Sequence, residues 1–241
     1  MNYITNGDTI IFDPSFNDEL DCELLNNYKK IIFSNYVLNE SLFDAYENNN
    51  FDGLKYDSSK FNQFVDNLSL IKSSITHLTF GFNFNQSVNN LPSSITHLTF
   101  GDYFNQSVDN LQPSITHLKF GFHFNQLVDN LPSTITHLTF SSNFDQSVDN
   151  LPSSITHLTF GSYFNKSVDN LPPSITHLTF VSYFNQSLNN LPMFIEFIQL
   201  PEIYENKILN IPKKLKVIKC SEEYKHINDF VGLEVIPILK N

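Results

Sequence analysis

Residues 154–160 read Ser-Ile-Thr-His-Leu-Thr-Phe, and this phrase or a near copy occurs six times in the 241-residue chain. The copies recur at a strict interval of 20 residues, and their last residues are Phe80, Phe100, Phe120, Phe140, Phe160 and Phe180. A fixed period this short is typical of a solenoid, in which each repeat forms one coil stacked on the previous one. Because solenoids expose long uniform surfaces, the repeat favours a binding function over a catalytic one.

Each repeat contains one short strand and a return path without a helix. Ile155, Leu158 and Phe160 are apolar, and polar residues stand between them, as in a strand with one face to the core and one to solvent. The 14 residues between this strand and the next include Gly161 near their start and Pro172 near their end. Proline breaks a helix, so the return path should be extended or form a short 3₁₀ turn.

Weaker copies of the strand phrase continue the pattern towards both ends of the chain. They occupy residues 7–12, 28–33, 51–56, 195–200, 215–220 and 233–238. The sequence therefore predicts a mainly β, leucine-rich-repeat-like solenoid of parallel strands, with about twelve coils of ~20 residues and little or no helix. We expect one domain over 1–241, with regular repeats at 61–200 and degenerate repeats and caps at 1–60 and 201–241.

Stacking should place equivalent side chains in columns along the solenoid. The phenylalanines that end the strands would form a core spine. A polar column precedes the Leu-Pro turn and would be an asparagine ladder whose amides bond backbone groups of neighbouring coils. This ladder consists of Asn90, Asn110, Asn130, Asn150, Asn170 and Asn190.

A histidine column should point away from the core, at the position before each strand leucine. It consists of His77, His97, His117, His137, His157 and His177. The rings could simply stack as neutral imidazoles and trade hydrogen bonds, or they could bind a partner together with the neighbouring outward column. That second column consists of Thr79, Thr99, Lys119, Thr139, Thr159 and Thr179. A metal site is a third reading, but histidines at strand spacing without acidic or thiol partners are a weak metal signal, so no metal or other cofactor is predicted.

The histidine column becomes apolar towards the C-terminus. The equivalent positions there hold Phe197, Val217 and Val235. Exposed apolar patches often mark interaction sites, although the C-terminal tail could instead cover these residues. The candidate partner-binding residues are therefore the six histidines, Lys119 and these three apolar side chains.

Composition excludes several classes of function. The formal net charge of −11 gives no basic footprint for nucleic acid, and no apolar run reaches membrane-spanning length. We find no phosphate-binding loop, cysteine cluster or nucleophile elbow, so the chain is not expected to be an enzyme. The N-terminus lacks a signal pattern, and the two cysteines stand near opposite ends, which favours an intracellular location in the cytoplasm.

The phrase Phe-Asn-Gln-Ser-Val-Asn-Asn-Leu-Pro-Ser-Ser-Ile-Thr-His-Leu-Thr-Phe-Gly at residues 84–101 closely resembles the FNIP repeat. The resemblance covers roughly residues 61–200, although the period here is 20 residues rather than the commoner 22. That family is known chiefly from social amoebae and from giant viruses that infect amoebae, and it is similar to leucine-rich repeats. The resemblance implies that the histidine and threonine columns line a concave sheet and that the chain is a protein-interaction module.

Some members of the family carry an F-box that docks to a ubiquitin ligase, but residues 1–60 hold no convincing F-box. The leading hypothesis is a non-enzymatic protein–protein interaction scaffold that binds a partner on the sheet face. The alternative is a substrate-recognition adaptor of a ubiquitin ligase, with a docking element near residues 13–45.

Overall fold

The computed structural model of the protein describes residues 2–71 and 75–238. The chain divides into two compact units, residues 1–122 and 123–241, called unit 1 and unit 2 below. Each unit is mainly β and is built from parallel strands with turns between them. The predicted parallel-strand solenoid with little helix is therefore confirmed, whereas a single domain over 1–241 stays a prediction.

Unit 1 begins with a hairpin and continues as a parallel stack. Its strands are β1 (Tyr3–Asn6), β2 (Thr9–Phe12), β3 (Lys30–Phe33), β4 (His77–Thr79), β5 (His97–Thr99) and β6 (His117–Lys119). β1 and β2 are antiparallel around a turn in which Gly7 has a φ of 56°, a backbone conformation that favours glycine. From β2 onwards, each strand pairs in parallel with the next one along the chain.

Unit 2 is a parallel stack in the part of it that the structure describes. Its strands are β7 (His137–Thr139), β8 (His157–Phe160), β9 (His177–Phe180), β10 (Phe197–Gln199), β11 (Val217–Cys220) and β12 (Glu234–Pro237). Each pairs with its neighbour in chain order, so every coil adds one strand to the edge of the previous coil.

The core of each coil follows from the alternation in the strand phrase. Ile155, Leu158 and Phe160 are at most 1% exposed, and Phe164 in the return path is completely buried. The rings of Phe160 and Phe164 stack with centroids 3.8 Å apart, and the same pair in the preceding coil stacks at 3.7 Å. Full burial of one such ring stabilises the fold by about 1.5–3 kcal/mol, as does burial of each isoleucine and leucine beside it, so every coil contributes several large apolar side chains to the core.

The strand predicted at residues 51–56 is wrong. β3 pairs directly with β4, and the chain between them forms an insertion that contains the helix α2 (Ser41–Asn48). Leu42 of α2 is buried against Ile11 and Ile32, which occupy outward positions of β2 and β3. Because these two outward positions are apolar, that part of the sheet needs a cover, and the helix provides it.

The other helical segments are short. They are α1 (Cys22–Leu25) and 3₁₀ helices at Asp66–Leu70 and Ile227–Asp229. The Asp21 side chain accepts from the backbone N–H groups of Glu23 and Leu24 and so caps α1.

Candidate functional site

The outward face of unit 1 carries three stacked histidines in strand register. His77 pairs with His97, and His97 pairs with His117. Both ring pairs have centroids 4.1 Å apart and planes within 13° of parallel. All three residues are half-buried, because each ring is covered by its neighbours along the column.

The outward face of unit 2 carries an equivalent column that ends in a different chemistry. The rings of His137, His157 and His177 stack at 4.2 Å. Phe197 continues the column at 5.9 Å from His177, and Val217 follows it in strand register. Imidazole is therefore replaced by apolar side chains at β10 and β11.

A threonine immediately before each histidine holds the imidazole in place. The Thr96 hydroxyl lies 2.8 Å from Nδ1 of His97, and the Thr156 hydroxyl lies 2.9 Å from Nδ1 of His157. The Thr96 hydroxyl also lies 3.2 Å from the carbonyl oxygen of Thr76 in the preceding coil. The stacking and hydrogen bonding expected from the sequence are thus present, while a role of the histidines in partner binding stays a prediction.

The environment of the column favours neutral imidazoles. Burial lowers the pKa of His77 below its usual value, and the charge of Lys30 lowers it further. Burial also lowers the pKa of His137, with a smaller contribution from His177. Charging these rings is unfavourable because they lose hydration and face other cations.

No trio of histidine, cysteine or acidic side chains converges as a metal site within residues 2–71 and 75–238. The histidines of each column instead lie in a line along stacked strands, which leaves each ring beside another ring.

The second outward column runs beside the histidines. Thr79 and Thr99 are half-buried and in register, and Lys119 is exposed and pairs with Thr99. In unit 2 the threonines are followed by Gln199 and Lys219. The second outward column is therefore polar in each unit, with a positive charge at Lys119 in unit 1 and at Lys219 in unit 2.

The placement of Val235 on the outward face is wrong. Val217 pairs with Glu234, and Val235 pairs with Ile218, a core residue that is 1% exposed. The predicted strand at 233–238 puts the outward residue 18 positions after Val217, whereas the partner of Val217 lies 17 positions after it, and a register shift of one residue moves every side chain to the other face. The outward apolar residues of this region are consequently Phe197, Val217 and Ile236, which is 36% exposed.

An ion pair borders the apolar part of the face. Glu196 and Lys216 stand where the earlier coils have threonine, and their side chains approach to 2.6 Å. The hydrogen bond and the positive charge of Lys216 lower the pKa of Glu196. Both side chains are largely exposed, so the pair defines the polar edge of the patch and adds little to stability.

The predicted asparagine ladder bonds different groups than expected. Asn170 donates from Nδ2 to the Asp149 carboxylate at 3.1 Å, and Asn190 donates to Asp169 at 3.0 Å. These amides therefore bridge side chains, because Asp149 and Asp169 in the preceding coils each supply a carboxylate acceptor.

The ladder that bonds the backbone lies at the residue after each return-path phenylalanine, and sequence reasoning missed it. The Asn85 side chain accepts from the backbone N–H of Asn105 at 2.9 Å. Asn165 accepts from Asn185 in the same way and at the same distance. The recurring Phe-Asn pair was the available signal for this ladder.

None of the helices in the described parts of the chain has the length and apolar character needed to cross a bilayer. Both cysteines, Cys22 and Cys220, are free thiols.

Comparison with known proteins agrees with this architecture. The sequence profile of the FNIP repeat matches residues 61–183 in five overlapping segments. The chain is similar to a crystal structure of CroV588, a circular leucine-rich-repeat protein, with a TM-score of 0.67 and 29% sequence identity over 93% of this chain. The match covers 38% of the CroV588 chain, so this chain corresponds to well under half of that protein. No curated protein sequence matches the chain.

The repeat signature spans just over half of the 241 residues, and the coils it describes are the ones that stack here as parallel strands. The chain therefore belongs to the FNIP repeat family.

Proposed function

We propose that this protein is a non-enzymatic protein–protein interaction scaffold that binds a protein partner on the outward sheet face of β9 to β12. The observation that carries the proposal is the change from stacked histidines to Phe197 and Val217 on a face that is polar in the preceding coils. A repeat fold of this kind supports the proposal, because uniform coils position side chains rigidly along one surface.

The chemistry of the patch suits an interface centre. Phe197 presents an aromatic ring whose orientation is restrained by stacking on His177. Rigid aromatic side chains supply contact area at low entropic cost, and they dominate the energetics of many interfaces. The Glu196–Lys216 pair would form part of the polar rim around this centre.

The C-terminal tail was the alternative cover for these side chains. In the part of the tail that the structure describes, β12 extends the stack by pairing with the edge of β11. That position places Glu234 beside Val217 and adds Ile236 to the outward face. The described tail therefore enlarges the patch rather than crossing it.

A pull-down with a matched control tests the proposal. The test variant carries Phe197→Asp and Val217→Asp, and the control carries Ile203→Asp and Leu209→Asp. The control residues are 65% and 67% exposed and lie in the return path of the same region, whereas Phe197 and Val217 are half-buried, so both variants add two charges but the test variant also disturbs local packing. Thermal unfolding of both variants must first show that each is folded.

We expect a partner that the wild type and the control retain and the test variant loses. A folded test variant that retains every partner of the wild type would overturn the proposal. Ligase core subunits among the retained proteins would favour the adaptor hypothesis. That hypothesis gains no support from residues 13–45, since Leu25 of α1 and Leu42 of α2 are buried in unit 1.

An intracellular location is part of the same proposal. It is supported by the free thiols of Cys22 and Cys220, which are usual in a reducing compartment.

A further inference from the structure

Helix α2 and the outward sheet face of unit 1 enclose a cleft of about 420 Å³. Its wall is formed by Phe43 and Tyr46 of α2, and its floor by Thr79 and the small exposed edge of Ile32, whereas Ile11 lies beneath them without exposed surface. This volume is at the lower end of the ~300–1,000 Å³ found for ligand sites, which suits one long side chain better than a large ligand.

The aromatic wall is held in place by a buried hydroxyl. The Tyr46 hydroxyl donates to the Ser34 hydroxyl at 3.2 Å, and Ser34 is completely buried. Ser34 also accepts from the backbone N–H of Tyr36 and donates to the Tyr36 carbonyl, both at 2.9 Å. Phe51 packs edge-on against Tyr46 with ring centroids 5.0 Å apart. The cleft is therefore preformed, which lowers the entropic cost of filling it.

The charges at the rim of the cleft do not balance. Asp8, Asp44 and Glu47 line it with three carboxylates, and Lys30 contributes one ammonium group. None of these four groups makes an ion pair with any residue that the structure describes. An aromatic wall beside an excess of carboxylates is complementary to a cation on an apolar stem.

We propose that this cleft binds an arginine side chain of a protein partner. The aliphatic stem would lie against Phe43, Tyr46 and the exposed edge of Ile32, and the guanidinium would reach the carboxylates of Asp44 and Glu47. Arginine combines an apolar stem, a planar group that stacks on aromatic rings and a fork of donors for carboxylates. This site lies in unit 1, whereas the apolar patch of the proposed function lies in unit 2. The two proposals are therefore independent, and an experiment can overturn one without affecting the other.

Two small probes that differ only in charge test the proposal on the full chain. N-acetyl-arginine methylamide is titrated into isotope-labelled protein, and N-acetyl-citrulline methylamide is its neutral near-isostere. NMR shifts of His77 and Phe43 report on the cleft. We expect saturable shifts with the arginine probe and binding weaker by about fivefold with citrulline, as one surface charge pair implies.

Three variants separate the role of the cleft charges from nonspecific attraction. Asp44→Asn with Glu47→Gln should weaken the arginine probe by about fivefold, whereas Asp18→Asn with Glu19→Gln, exposed outside the cleft, should leave it unchanged. Lys30→Gln removes the one repelling cation and should tighten binding. The proposal would be overturned if the citrulline probe bound as tightly as the arginine probe, or if the arginine probe gave no saturable shift in the cleft. It would also be overturned if both acidic double variants lost the same affinity for the arginine probe, or if Lys30→Gln bound that probe more weakly than the wild type.

Discussion

The histidine column couples protonation to stability at the level of single residues. Neighbouring rings such as His77 and His97 lie 4.1 Å apart, a distance at which two unit charges repel by about 1 kcal/mol even in water. The Thr96 hydroxyl donates to the Thr76 carbonyl and therefore accepts a hydrogen bond from Nδ1 of His97. Repulsion between adjacent charged rings, rather than this hydrogen bond, makes joint protonation of the column unfavourable.

Acid should destabilise the protein through these rings. The folded-state pKa values of His77 and His137 lie below the usual 6.5, so the unfolded chain binds more protons as the pH falls below that value. Stability should be unaffected by these groups above pH 6.5 and should be lost as the pH falls from there through the folded-state pKa values.

The test is the melting temperature as a function of pH for the wild type and for His137→Gln. The variant should show a shallower fall of the melting temperature in acid than the wild type, because it lacks one ring whose folded-state pKa is lowered. An unchanged slope in His137→Gln would contradict this account.

The backbone-bonding ladder makes a second prediction at this scale. Asn85 accepts from the Asn105 N–H at 2.9 Å and from the Gln106 side chain at 3.1 Å, so Asn85→Ala should lower the free energy of unfolding by about 0.5–1.5 kcal/mol. Asn85→Asp keeps the acceptor oxygen and should cost clearly less, because Asp145 already accepts in the same ladder at 2.9 Å. Chemical denaturation measures both values, and equal losses would contradict the ladder.

At the level of the coil, close approach of neighbouring backbones leaves little room for a side chain at Gly161, the first residue after β8. A Cβ built on Gly161 would lie 2.1 Å from the carbonyl oxygen of Ser141, which is far inside van der Waals contact. Gly161→Ala should therefore force the two coils apart and lower the free energy of unfolding by about 1–3 kcal/mol.

The adjacent Ser162→Ala is the matched control for this prediction. Its side chain is only partly buried, so its effect should stay within about 0.5 kcal/mol. Chemical denaturation measures the free energy of unfolding of both variants. Equal values for Gly161→Ala and Ser162→Ala would show that the coils are not packed as closely as described.

The register of β12 makes a prediction that separates the structure from the sequence pattern. Val235 pairs with the buried Ile218, and Ile236 pairs with Lys219 on the outward face. Val235→Asp should therefore lower the melting temperature more than Ile236→Asp, because it directs a carboxylate towards the core. The opposite ranking would favour the register expected from the sequence, in which Val235 faces outward.

The elements that sequence could predict are those that obey the period. Apolar and polar residues alternate in the phrase around Leu158. This alternation predicts the strand and its buried face, and the 20-residue period predicts the strand with which it pairs. The insertion with α2 breaks the period, and its Phe51 and Leu54 mimic a strand phrase. A strand at 51–56 and an insertion that contains α2 can be told apart only by the need to cover Ile11 and Ile32. That need depends on which residues of β2 and β3 face outward.

For the whole molecule, the repeat defines the scaffold, and the positions where the sequence departs from the repeat indicate the candidate binding sites. Leu178 and Phe180 follow from the period and could be placed from sequence, as could the outward position of Phe197. The cleft between α2 and the sheet could not be predicted, since it is created by an insertion that the repeat does not contain. Val235 could not be placed correctly either, because the 17-residue spacing that shifts it is visible only as strand pairing.

The central claim is that a protein partner contacts the outward face at β10 and β11. Site-specific photo-crosslinking tests it most directly, with a photoreactive amino acid at Val217 in one sample and at Leu209, which is 67% exposed in the return path, in the other. Our account predicts a discrete crosslinked protein from Val217 and none from Leu209 in lysate of the source cell. Crosslinks of equal yield to the same protein from both positions, or from Leu209 alone, would contradict it.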